Sequence, residues 1–94
     1  MPARFAFAQN SPNPFHDDTS FRFEVPETSV VRIEVLDVLG RRVVSLVDGA
    51  LRPGVHTVGW DGRDASGRRV ASGTYVCRIL TRNFSASRKL LLLN

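Results

Sequence analysis

Thr19-Ser20-Phe21-Arg22-Phe23-Glu24-Val25 and Val30-Val31-Arg32-Ile33-Glu34-Val35-Leu36 are the two stretches that decide the fold. In the first, Phe21, Phe23 and Val25 alternate with Arg22 and Glu24; in the second, Val31, Ile33 and Val35 alternate with Arg32 and Glu34. A period of two puts successive side chains on opposite faces of an extended chain. Each stretch therefore predicts a half-buried antiparallel strand, apolar inward, with Arg and Glu outward in solvent. Pro26, with no amide hydrogen to give a ladder, ends the first strand.

Reading outward from these strands, Asp37-Val38-Leu39-Gly40 is a turn signal: the Asp side chain can cap it, and Gly can take the positive φ that a branched residue resists. A hairpin into Arg41 to Val47 follows, and Asp48 to Gly54 reads as a loop by its Gly and Pro content. Val55 to Trp60 is a further strand, with the phase that buries Trp60, Val58 and His56 preferred because Trp is the largest apolar group available. Asp61 to Arg69 is a polar loop, and Thr74 to Leu80 alternates again with Tyr75, Cys77 and Ile79 on one face. Asn83-Phe84-Ser85 turns the chain into a last strand, Ala86 to Leu93, whose Leu run declares no face. Seven to eight short strands with turn residues between them, and no helical period, predict an all-β, immunoglobulin-like antiparallel β-sandwich. The Cys, Trp, Cys frame of antibody domains is absent, so that likeness is architectural. Residues 1 to 4 read as a disordered tail or an expression remnant, and residues 5 to 94 as a single domain.

Composition agrees with a folded domain. Ninety-four residues suffice for one core and are too few for two domains. The apolar fraction of 43% and six Phe with Trp60 and Tyr75 can fill that core. No run approaches the roughly 18 apolar residues of a membrane-spanning helix. The N-terminal residues hold no apolar stretch of signal-peptide type, so the chain is expected to be intracellular or a piece of a longer precursor. A lone Cys77 excludes an internal disulfide, a CxxC redox pair and a Cys-rich zinc site.

The net charge of +4, with all basic residues but Lys89 being Arg, raises the question of nucleic acid. Outward Arg22, Arg32 and Arg78 alternate with Glu24 and Glu34, which reads as a solvated sheet surface with opposite charges facing across strands. The Arg41-Arg42 and Arg68-Arg69 pairs sit in turns without interleaved aromatics, and no nucleic-acid motif is present, so nucleic acid is not expected as a partner. Chemistry has little footing either. His16 and His56 are the only imidazoles, Cys77 is phased inward as a small apolar group, and carboxylates fall in turns or on outward strand positions. The Asp61 to Gly67 loop fails the alternate-ligand spacing of a calcium loop, since Arg63 and Ala65 occupy the ligand positions; capping of the turn by Asp61 and Asp64 is expected. The reading is of a non-enzymatic chain with no catalytic residue, metal or cofactor.

Five blocks, in order, carry a family resemblance. Gln9-Asn10-Ser11-Pro12-Asn13-Pro14-Phe15 resembles the Q-N-x-P-N-P-F opening of the type A C-terminal sorting domains of type IX secretion. Thr19 to Phe23 is similar to the T-x-I-x-F strand of that family, and Val35 to Gly40 with Arg41 and Val43 to its I-Y-D-x-x-G-R-x-V segment. Trp60, Asp61, Gly62, Asp64, Gly67, Val70, Ser72, Gly73 and Tyr75 resemble W-D-G-x-D-x-x-G-x-x-V-x-S-G-x-Y, and Lys89 with the Leu run resembles the terminal strand. The central block is shared with the immunoglobulin-like domain of the flagellar hook-capping protein; the P-N-P-F opening and the Lys-Leu ending favour the sorting domain. His16-Asp17-Asp18 and Cys77 depart from the family pattern.

The resemblance implies a sorting signal that takes a larger precursor through the periplasm and the outer membrane to the cell surface or the medium. Its partners would be the secretion translocon, a sortase-like peptidase and an N-terminal passenger in cis, with anionic lipopolysaccharide compatible with the basic balance. Recognition would use shape and exposed backbone, with the final strand, Arg88-Lys89-Leu90-Leu91-Leu92-Leu93, as the candidate element because a terminal strand can leave a pairing edge. Pro12, Asn13, Pro14, Phe15, Asp37, Gly40, Trp60, Asp61, Gly62, Gly67, Gly73, Tyr75 and Lys89 are the motif residues, structural or recognising. Phe15 is expected to plug one end of the sandwich and Trp60 to lie in the core. A hook-cap-like assembly domain and a carbohydrate-binding or adhesion module of a secreted hydrolase are the alternatives.

Overall fold

Alternating residues become seven strands in the computed structural model, which describes residues 3–93: β1 (Ala6–Phe7), β2 (Thr19–Val25), β3 (Ser29–Leu36), β4 (Arg42–Leu51), β5 (Gly54–Trp60), β6 (Gly73–Leu80) and β7 (Ser85–Leu92). Of the tail expected at residues 1 to 4, Met1 and Pro2 lie outside the described residues, as does Asn94; Ala3 and Arg4 are exposed. Two antiparallel sheets face each other, β1-β2-β5 and β4-β3-β6-β7. The sandwich is of immunoglobulin type, as the alternation predicts.

The inward phases follow the sequence. Phe21, Phe23 and Val25 of β2, Val31, Ile33 and Val35 of β3, and Tyr75, Cys77 and Ile79 of β6 are buried. On β5, Val58 and Trp60 are buried and His56 is half-buried, stacked on Phe23 with ring centroids 5.3 Å apart. The Leu run of β7 resolves into Leu90 and Leu92 inward, Leu91 and Leu93 partly exposed.

Two readings need correction. Asp48 to Leu51, expected in a loop, continue β4, because β3 is long enough to pair Ser29 with Leu51 and Arg32 with Asp48. Gly49 sits in this edge strand without a positive φ, so it was no turn signal. Glu34, expected in solvent, is 4% exposed. It does lie on the outer face, opposite Arg78 in the register, but the Arg78 and Arg32 side chains cover it, with Arg78 Nη2 donating to Oε1 at 2.5 Å. Long Arg stems bury a charge that alternation alone leaves open.

Strand directions sort the connections. Residues 37–41, 61–72 and the ends of β2, β5, β6 and β7 bearing Thr19, Trp60, Gly73 and Leu92 meet at one end of the sandwich. The short connections 26–28, 52–53 and 81–84 lie at the other. Every motif residue singled out above except Lys89 belongs to the first end or to the segment leading into it.

Candidate interaction site

The lead-in segment changes sheets. Ala6 and Phe7 pair with Glu24 and Phe23 of β2, and Ser11 bridges Ser20. After the Pro12-Asn13-Pro14 kink, Phe15 bridges Leu92 of the other sheet in parallel. A buried network holds the kink: the Asn10 side-chain amide donates to Pro12 O and Thr19 Oγ1, and the Thr19 hydroxyl donates to Pro12 O at 2.7 Å. Pro12, Asn13 and Pro14 are themselves exposed, while Phe15 is 1% exposed and packs against Trp60 at 5.6 Å between ring centroids. Phe15 thus plugs the end of the sandwich as expected.

The same segment covers the outer edge of β7. Gln9 Nε2 donates to Lys89 O (2.7 Å), Leu91 N donates to Asn13 Oδ1 (2.9 Å), and Phe15 N donates to Leu91 O (3.0 Å). Leu93 N donates to Phe15 O (2.9 Å), and His16 Nδ1 lies 3.0 Å from Leu93 O, where it donates. The pairing edge expected on the final strand is therefore occupied from Lys89 to Leu93. Side chains that imitate a neighbouring strand satisfy backbone groups that an edge would otherwise offer. Below this, Arg88 Nη1 donates to Ser87 O and its guanidinium stands 5.9 Å from the Phe7 ring centroid, while the Lys89 side chain is exposed.

Trp60 lies in the core, edge-on to Tyr75 at 5.2 Å between centroids, with Nε1 donating to Arg63 O at 2.9 Å. The next residues wrap over it. Asp61 Oδ1 accepts from Arg63 N, Asp61 O accepts from Arg69 Nη1, and Gly62 holds φ of 74°. A Cβ at Gly62 would stand 3.2 Å from Arg69 Nη1 and 3.4 Å from Leu92 Cδ2, so the left-handed backbone favours glycine and any side chain here would also have to displace the Arg69 guanidinium. Gly73 opens β6 opposite Leu92. Tyr75 donates its hydroxyl to Ala71 O at 2.6 Å, four residues back, and burial pushes the phenol pKa up. This is the tyrosine corner of immunoglobulin-like sandwiches, with Cys77 two residues on, as the second Cys of an antibody domain would be. The Ser72-Gly73-Thr74-Tyr75-Val76-Cys77 run carries that signal, and the sequence reading missed it. It also passed over Gln9, Asn10, His16 and Thr19 as individual residues, although the first two and the last lie in its quoted motifs.

Two turns complete this end. Asp37 Oδ1 accepts from Leu39 N and Arg41 N, Oδ2 accepts from Arg41 Nε, and Gly40 has φ of 81°. The Arg41 amide, ahead of the other partners, holds the Asp37 carboxyl below the usual aspartate range. The Asp61 to Gly67 loop is capped as expected: Asp64 Oδ1 accepts from Ser66 Oγ, Ser66 N and Arg68 N, and the Ser66 hydroxyl leads in lowering the Asp64 pKa.

The sequence profile of the FlgD Ig-like domain family matches residues 9–83. Over 53 residues the chain is 42% identical to the basal-body rod modification protein FlgD of Salmonella typhimurium, covering 56% of this chain and 23% of that protein. The chain thus spans about a quarter of the length of the curated relative it matches. Among solved structures it is similar to dimeric latent PorU of Porphyromonas gingivalis, with a TM-score of 0.74 and 20% identity over 98% of this chain and 10% of that one. PorZ of the same organism, an essential bacterial surface component of its type-IX secretion system, gives a TM-score of 0.65 and 21% identity over 90% of this chain and 11% of that one. At these identities the likeness to the two structures is one of fold.

Proposed function

The chain belongs to the FlgD Ig-like domain family, and we propose that it works as a non-catalytic folded address: a sorting module that directs a larger precursor by type IX secretion to the cell surface. The observation that carries this reading is the seam between the lead-in and β7. The family match ends at residue 83, before β7 begins, yet the Pro12 to Phe15 block is bonded to that strand. The opening block, which the family match includes, and the terminal strand, which it does not, are thus one physical unit, and Lys89 to Leu93 reach a partner only together with Gln9, Asn13, Phe15 and His16.

The thiol and the two imidazoles are otherwise employed. Cys77 is buried and burial pushes its thiol pKa up to about 12, which withholds the nucleophilic thiolate. His16 and His56 each spend a ring nitrogen on a backbone carbonyl. The partners in this reading are the outer-membrane translocon, a sortase-like peptidase and the passenger fused ahead of the domain, with anionic lipopolysaccharide at the surface; the route runs through the periplasm.

The test is a secreted reporter carrying residues 5–94 at its C-terminus in a host with type IX secretion. Reporter at the surface or in the medium, and reporter held in the periplasm when the translocon is inactivated, is the expected result. Retention in the periplasm of the competent host would overturn the reading. The identity to Salmonella FlgD favours a second reading, a structural module of a flagellar hook cap. That reading predicts restored motility when this domain replaces its counterpart in a hook-capping protein.

A further inference from the structure

The chain builds one turn twice. Asp37-Val38-Leu39-Gly40-Arg41 and Asp64-Ala65-Ser66-Gly67-Arg68 share the spacing D-x-x-G-R. In each the Asp amide donates to the Arg carbonyl (2.9 and 2.8 Å), and the Gly amide donates to the Asp carbonyl (3.0 Å in both). In each the Asp carboxylate also accepts from the amides of the third and fifth residues, and the Gly has φ of 81° or 86°. The turns are neighbours, joined by Ala65 N donating to Val43 O at 3.3 Å, and they border one open cleft of about 500 Å³ lined by Asp37, Arg41, Arg42, Asp64 and Ser66.

The second copy makes the frame with Ala and Ser at its two central positions. Val38 and Leu39 are therefore not needed for the frame, and the fold does not bury them: they are 71% and 74% exposed, more than any other large apolar residue described. Arg42, which follows the first turn, and Arg68, the last residue of the second, are exposed, and neither forms a salt bridge among the described residues. An apolar pair held at a tip by a hydrogen-bonded turn, with two exposed guanidinium groups at the paired turns, has already met the ordering cost of binding.

We propose that the Val38–Leu39 prong, with Arg42 and Arg68 at the paired turns, docks into an apolar socket rimmed by carboxylates on a protein partner. Magnitude decides against a bilayer. The two side chains together offer about half the hydrocarbon of a myristoyl chain, which alone gives only marginal membrane binding. Guanidinium forks match carboxylates in bidentate fashion and are favoured at protein interfaces.

The export test rests on the sorting reading. In the reporter fusion, Val38→Ser with Leu39→Ser should lower export at least tenfold, and so should Arg42→Glu with Arg68→Glu. Val30→Ser, at an exposed position on the opposite end, should leave it unchanged, and all variants should melt within a few degrees of the parent. Normal export of the Val38/Leu39 variant, with the parent fusion exported, overturns the prong and leaves the sorting reading standing. Should the parent fusion itself fail to leave the cell, the sorting reading falls and the prong is judged by a photo-crosslinking residue at position 39 of the full-length protein in its own host. A discrete protein adduct lost in the Arg42→Glu/Arg68→Glu variant supports docking; no adduct, or one indifferent to that charge reversal, overturns it. Co-sedimentation with phosphatidylglycerol vesicles that Leu39→Ser abolishes would assign the tip to a membrane and also overturn the proposal.

Discussion

The two ends of the sandwich are built differently. At one, residues 26–28, 52–53 and 81–84 join strands by the shortest route, with small tethers such as Ser29 Oγ donating to Glu27 O and Thr81 Oγ1 donating to Phe84 O. At the other, Asn10, Asn13, His16, Asp37, Trp60, Asp61, Asp64, Arg69 and Tyr75 all bond side chain to backbone. A sandwich needs only the first kind of connection to close its sheets. The second kind fixes loop shape, which is what the proposed recognition by surface shape requires.

This contrast can be broken. Trp60→Ala removes the ring that joins Phe15 to Tyr75 and should cost about 3–5 kcal/mol, read from urea unfolding. Gly62→Ala should follow at about 1–2 kcal/mol for the left-handed backbone alone, with Arg69 displaced besides. A cost near zero would mean the W-D-G loop is pliable and the two ends alike.

The paired turns give a pH signature. Both Asp37 and Asp64 have folded pKa values below the ordinary 3.8, so each stabilises the fold above that value, and the contribution is lost as pH falls through the lower folded value. The melting temperature should fall on acidification below about pH 4, and Asp37→Asn with Asp64→Asn should lower it at pH 7 while flattening the acid decline. The smallest effect belongs to the plain end: Ser29→Ala should stay within about 0.5 kcal/mol of the parent in the same urea assay. A larger loss would put structure where the contrast says there is only connection.

Much of the fold was legible because alternation is local. Val58 and Trp60 could be phased from seven residues, and the Asp37 and Asp64 turns from four or five. Three features were not legible, each because a distant residue decides it. Glu34 is buried by Arg78, 44 positions away. Asp48 to Leu51 are extended because β3 has length to pair them. Nothing in Leu90-Leu91-Leu92-Leu93 chooses a face until Phe15 and Tyr75 take their places beside it. Of the motif residues, sequence placed the turn formers and core aromatics correctly, while the closure of the β7 edge rests on side chains roughly 80 positions upstream, for which spacing has no signal.

Phe15 and Leu92 run side by side in the same direction, with Phe5 stacked on Phe84 at the far end of a molecule whose long axis is 37 Å. A pull on the chain at residue 5 against a hold at residue 93 therefore loads this seam in shear. The bonds from Gln9, Asn13, Phe15 and His16 lie across the force and must yield together, where a hairpin pulled open would give way one rung at a time. A load hung on the N-terminal side of the sandwich would be borne by the seam and, through the buried Phe15 and Leu92, by the core itself.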